Sequence, residues 1–185
     1  MFPRLFARRR RNESIAYSLY GAIVAQARSP ALYTTYQVPD TVDGRFDMIV
    51  LHAFLFLHRM RGTGPEEKEM GQAVFDLFLR DMDRSLREMG VSDVGVPKKL
   101  KKMAEAFYGR VGAYDTALEA GDRAALADAI ARNVFPEGGG EIAAPALAAY
   151  VEGAAASLAE RPVADILAGR LAFPELPGAS GAVAA

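Results

Sequence analysis

From Met48 to Leu57 every residue except His52 is apolar, and Phe46 stands just before the run. A helix with almost no polar face cannot lie on a surface, so this one is expected at the centre of whatever the chain builds. The run is also well short of the ~20 apolar residues that a membrane-spanning helix requires. Asp43 is the expected cap at its start, and the helix is expected to end near Arg61, ahead of the Gly62-Thr63-Gly64-Pro65 break.

The flanking segments read as helices that cover such a centre. Asn12 is the expected cap of a helix from Glu13 to Arg28, with Ile15, Leu19, Ala22, Ile23 and Ala27 on one stripe. Ala31 to Val38, rich in Tyr and Thr and bordered by prolines, reads as an extended connector. Pro65 with Glu66, Glu67 and Glu69 opens a helix that Gly90 ends. Its stripe is Phe75, Phe78, Leu79, Met82, Leu86 and Met89, while Asp76–Arg80 and Asp83–Arg87 stand at i,i+4 spacing elsewhere on its surface. Pro97 opens the next helix, striped by Leu100, Met103, Phe107, Val111, Tyr114 and Leu118 and closed by Gly121. Gly109 and Gly112 within it cost ~1 kcal/mol each against alanine, a cost that close approach of another backbone would explain. Asp122 caps a further helix to Val134, and alanine-rich helices follow the Gly138–Gly140 break, over about 143–159 and 163–171. The expected fold class is therefore all-α, a compact single-domain multi-helix bundle of about six to seven helices, with no fixed-period repeat. Residues 1–11 form a basic N-terminal arm, 12–173 the helical domain and 174–185 a flexible C-terminal tail.

Composition narrows the chemistry. The chain of 185 residues has no cysteine, which removes disulfides, thiolate metal sites and cysteine nucleophiles together. Its 22 basic and 23 acidic side chains nearly cancel, so no global field draws it to DNA, and any attraction to an anionic partner must be local. The opening stretch is basic but lacks the long apolar core and cleavage site of an export signal. The expected location is the bacterial cytoplasm, with a peripheral place at the inner membrane, or the matrix side of that membrane in a mitochondrion if the chain is eukaryotic.

No catalytic constellation stands out. His52 and His58 lie six residues apart and point in different directions from one helix. His52 reads as a satisfied core histidine, and His58 as a complement to the dipole at the helix end. Asp76, Asp81 and Asp83 are interleaved with arginines and lack the Glu-x-x-His spacing of di-iron bundles, so they read as salt-bridged surface and not as a metal site. No serine has a nucleophile-elbow context, and the glycine run at 138–140 follows no strand. No cofactor is expected. Lys98, Lys99, Lys101 and Lys102 are a sharper signal, because cations at the start of a helix face its positive dipole end. Such a cluster suits an anionic partner: ribosomal RNA, lipid headgroups or an acidic protein surface. Plentiful aromatics and methionines allow an adaptable apolar groove for a client helix.

The stretch Phe75-Asp76-Leu77-Phe78-Leu79-Arg80-Asp81-Met82-Asp83-Arg84-Ser85-Leu86-Arg87-Glu88-Met89-Gly90-Val91 resembles the ubiquinol–cytochrome c chaperone family, the assembly factors of respiratory complex III. Val96-Pro97-Lys98-Lys99, continuing through Met103-Ala104-Glu105-Ala106-Phe107-Tyr108-Gly109-Arg110, keeps the same order and spacing. The resemblance covers about Phe46 to Leu118. It implies a helical, non-enzymatic chaperone that binds newly made cytochrome b, works near the ribosome in mitochondria, and has a small helper subunit there. The family's acidic and lysine segments fall on Asp81 to Asp83 and on Lys98 to Lys102. The expected partner-binding residues are Asp81, Asp83, Arg84, Arg87, Lys98, Lys99, Lys101, Lys102, Tyr108 and Arg110. A helical carrier of a quinone or haem, placed at His52, is the alternative.

Overall fold

The structure, a computed structural model, describes residues 2–62 and 64–176, with side chains from residue 10 onward. In order, the helices are α1 (Phe2–Ala27), α2 (Pro30–Thr34), α3 (Val42–Met60), α4 (Pro65–Glu88), α5 (Gly95–Glu119), α6 (Arg123–Val134), α7 (Ala143–Ala159) and α8 (Val163–Leu167). There is no strand among the described residues. The all-α bundle expected around the apolar segment is the architecture that forms. α3 packs against α1, α4, α5, α6 and α7, and every residue from Met48 to Phe56 is buried. No helix among the described residues is long and apolar enough to cross a membrane.

Local chemistry sets most of the boundaries. Pro65 occupies the first turn of α4, where its missing N–H costs nothing, with Glu66 and Glu67 beside it at the positive dipole end. Gly90 takes φ +80°, which lets Val91 N–H reach back to Leu86 O at 3.0 Å and close the helix. The α5–α6 corner uses one residue twice. Gly121 turns at φ +63° so that Asp122 N–H bonds Ala117 O at 3.0 Å, and the Asp122 carboxylate then accepts from Ala125 N at 2.9 Å to cap α6. Arg59 of α3 donates to Leu158 O and Arg161 O, both at 2.8 Å, and so satisfies carbonyls at the end of α7.

Four boundaries differ from expectation. α1 runs through Asn12 without a break. The arginines around Asn12 favour helix, and Asn12 caps nothing; its amide reaches Glu69 on α4 at 3.4 Å. The segment after Pro30 is one helical turn, because Ala31 and Leu32 are buried by packing that outweighs the weak strand preference of Tyr and Thr. Thr41, not Asp43, caps α3, its hydroxyl accepting from Gly44 N at 3.1 Å. α8 stops at Leu167, and Gly169 turns the chain at φ +86°. The expected tail is tied down where it begins: Gln26 donates to Pro174 O at 3.1 Å and Leu176 is buried. Residues 177–185 of that tail lie outside the described residues. Gly109 and Gly112 are exposed, and among the described residues nothing beyond the neighbouring turns of α5 comes within 4 Å of a Cβ placed on either.

Candidate functional site

The start of α3, the end of α4, the stretch of α5 up to Arg110 and the end of α6 leave a groove of about 890 Å³ between them. Phe46, Leu86, Met103 and Phe135 give it apolar walls. Val42 and Met89, which also line it, are 63% and 53% exposed. Large apolar side chains left in water on a concave surface are a usual mark of a binding face. The charged groups of the groove are Lys99 and Lys102 from α5, Arg132 from α6, the acids Asp43 and Glu137, and one deep pair.

That pair is Asp47 and Arg110. Asp47 sits between Phe46 and Met48 on α3 and is only 3% exposed. Arg110 Nε approaches its Oδ1 to 2.8 Å, but off the line of an aligned hydrogen bond, and the guanidinium lies 5.6 Å from the Phe46 ring centroid. Burial pushes the Asp47 carboxyl up to about 6, against the pull of Arg110. Tyr114, wholly buried, feels the charges of both, and its hydroxyl faces the Asn133 side chain without a well-aligned hydrogen bond. An ion pair and a phenol are therefore buried together at the floor of the groove.

The expected partner-binding residues do not form one patch. Lys98, Lys99, Lys101 and Lys102 are exposed over the first turns of α5, a helix start with neither an acid nor a side-chain cap. Lys101 lies 3.8 Å from Glu105, while Lys98, Lys99 and Lys102 have no ion pair among the described residues. Lys99, Lys102 and Arg110 meet in the groove. Asp83, Arg84 and Arg87 make a ridge at the end of α4 in which Arg87 bonds Asp83 at 2.7 Å and also Asp93, and Arg84 bonds Glu88 at 2.7 Å. Asp81 is turned inward instead and accepts from the Tyr20 hydroxyl of α1 at 2.8 Å. Tyr108, 60% exposed, belongs to a second groove of about 560 Å³ with Leu57, Phe75 and Phe107.

The histidines and carboxylates have structural partners. His52 is fully buried; Nδ1 stands 2.7 Å from Met48 O and Nε2 stands 3.0 Å from the Tyr150 hydroxyl, which takes a hydrogen bond from Gln26 at 2.9 Å. Burial lowers its pKa to about 4, so the ring is neutral, donating at Nδ1 and accepting at Nε2. With both nitrogens engaged and Phe173 edge-on at 5.2 Å, His52 has no position left for a haem iron, which counts against the carrier reading. His58 does more than complement a helix end: its Nδ1 lies 2.8 Å from Asp115 on α5, a carboxylate shared with Arg61 at 2.5 Å. Asp76 takes its hydrogen bond from Gln72 at 2.8 Å, not from Arg80. No cluster of metal-ligating side chains occurs among the described residues.

A sequence profile described as ubiquinol-cytochrome C chaperone matches residues 34–173. The chain belongs to that family. Within the ubiquinol–cytochrome c chaperones, it is 27% identical over 120 residues to ubiquinol-cytochrome-c reductase complex assembly factor 1 of Xenopus laevis, and 28% identical over 120 residues to the human protein of that name. These matches take in 65% of this chain but only 60% and 40% of the two relatives. The crystal structure of the Cbp3 homolog from Brucella abortus superposes with a TM-score of 0.86 at 44% identity, covering 95% of this chain and 97% of that one.

Asp47 and Arg132 escaped the reading of the sequence. A carboxylate inside an otherwise apolar central helix was a visible signal, since a buried charge must find a partner. Arg132 offered none, because its place in the groove depends on how α6 packs.

Proposed function

We propose that this ubiquinol–cytochrome c chaperone is a non-enzymatic assembly factor that binds newly made cytochrome b and holds it for assembly into the ubiquinol–cytochrome c reductase complex. The observation that carries the reading is the structural likeness to the Cbp3 homolog over 95% of this chain at 44% identity, together with a groove whose apolar walls are open to water. Such a groove suits a segment that must be kept from aggregating until its final partners arrive. The exposed lysines at the start of α5 suit a place close to an anionic surface, either the ribosome or the inner membrane, with the protein peripheral to it. Asp83, Arg84 and Arg87 are proposed to orient the partner from the adjoining ridge, and Tyr108 to contact it, or a small helper subunit, from the second groove.

The test is affinity purification of the tagged chain from cells making complex III, with cytochrome b detected by mass spectrometry. Cytochrome b should be recovered from the wild type and reduced by Met103→Glu, which places a charge on the groove wall. Deletion of the gene should lower assembled complex III. Normal complex III levels in the deletion strain would refute the reading.

A further inference from the structure

We propose that the groove between α3, α4, α5 and α6 takes an amphipathic helix of a partner protein that carries carboxylates along the flank of its apolar face. This rests on the client-binding reading above and adds the chemistry of the segment that is held. Lys99, Lys102, Met103, Ala106 and Arg110 recur at helical spacing on one face of α5 and all line the groove. That face is an apolar strip edged with cations, ~16 Å long at the helical rise, enough to lie along three turns of another helix.

Lys99 and Lys102 of this face, and Arg132 across the groove, are left without a carboxylate among the described residues, whereas several arginines elsewhere are neutralised. Arg45, Arg61, Arg84, Arg87, Arg123 and Arg170 each have a carboxylate within hydrogen-bonding range. The lysines also stand where the helix dipole opposes them, so folding alone does not explain their place. Arg110 adds a fixed donor. Asp47 and the Phe46 ring hold its guanidinium in place, yet among the described residues it makes only one hydrogen bond, a long one to Ala106 O at 3.4 Å. A guanidinium already oriented, with donors to spare, is suited to a carboxylate. The acids of the groove do not compete: Asp47 already faces Arg110, which leaves Asp43 and Glu137 against three unpaired cations.

The test uses the full-length chain and labelled helical peptides of about 18 residues, or five turns, with Leu and Phe on one face. One peptide carries Glu along the flank, a second carries Gln and a third Lys. The Glu peptide should bind about tenfold more tightly than the Gln peptide, a difference of ~1.4 kcal/mol, and the Lys peptide more weakly still. Added salt should narrow the gap. Lys102→Glu, at an exposed position that leaves folding intact, should abolish the preference for Glu, and Met103→Glu should weaken all three peptides. Equal affinities for the three peptides, or a preference that survives Lys102→Glu, would overturn the proposal. So would displacement of the Glu peptide by phosphatidylglycerol vesicles regardless of Met103→Glu, or by a second copy of the chain in a dimer that the same variant dissociates. Cytochrome b recovery is scored separately. Peptide selectivity without cytochrome b sinks the chaperone reading and keeps the groove chemistry, and cytochrome b recovery with equal peptide affinities does the reverse.

Discussion

Asp47→Asn isolates the electrostatics at the floor of the groove. In the folded chain the Asp47 carboxyl is raised from 3.8 to about 6, so the folded state binds a proton that the unfolded state releases between these values. A raised folded pKa means that this stability is fully present below pH 3.8 and is lost as pH rises through 6. The difference of about two pKa units amounts to ~3 kcal/mol. His52 acts in the opposite direction. Its pKa falls from 6.5 to about 4 on folding, so its stabilisation is present above pH 6.5 and is lost as pH falls through 4, again by ~3 kcal/mol. The two contributions nearly cancel between pH 4 and 6 in the wild type, and its pH profile alone reveals neither. The stability of Asp47→Asn minus that of the wild type should rise by about 2–3 kcal/mol from pH 4 to pH 7.5. Urea unfolding followed by far-ultraviolet circular dichroism at half-unit pH steps measures it. A difference constant to within about 0.5 kcal/mol across that range would refute the claim that Asp47 is a desolvated carboxylate. Arg110→Met gives a second check. Without the guanidinium that lowers it, the Asp47 carboxyl should titrate at higher pH than in the wild type, and an unchanged pH profile of stability would count against the pairing.

Tyr150→Phe should lower stability by ~1–3 kcal/mol, because His52 Nε2 and the Gln26 amide both lose a partner; a shift in melting temperature measures it, and no shift would mean that the network is not formed. Thr41→Ala should cost ~1 kcal/mol in urea unfolding and Asp43→Ala distinctly less, since only the Thr41 hydroxyl caps α3; the reverse order would restore Asp43 as the cap. Gly44→Ala should cost ~3 kcal/mol or more, because the added Cβ would stand 2.0 Å from Pro39 O. Gly109→Ala and Gly112→Ala should instead each stabilise the chain by up to ~1 kcal/mol, since nothing beyond the neighbouring turns of α5 lies within 4 Å and both are in that helix; a loss of stability in either would show a crowded backbone there.

The sequence by itself determined all the long helices and the place of one of them. The apolar run from Met48 to Leu57 could only be central, and Pro65, Gly90, Gly121 and Asp122 set helix ends, because dipoles, caps and positive-φ turns act over four or five residues. Where local preference was weak, as in Ala31 to Val38, packing decided, and around Asn12 helix propagation outweighed a cap. The lysine cluster was legible for the same short-range reason, since its conflict with the helix dipole lies within one segment. What each charged side chain meets was decided only by tertiary structure. Asp81 looked like part of a charged ridge and turned inward to Tyr20, 61 residues away. Asp47 met Arg110, and His52 met Tyr150 98 residues on, because α3 is walled by α5 and α7. Desolvation and pairing of buried charges depend on distances between helices, and no local pattern in the chain encodes those.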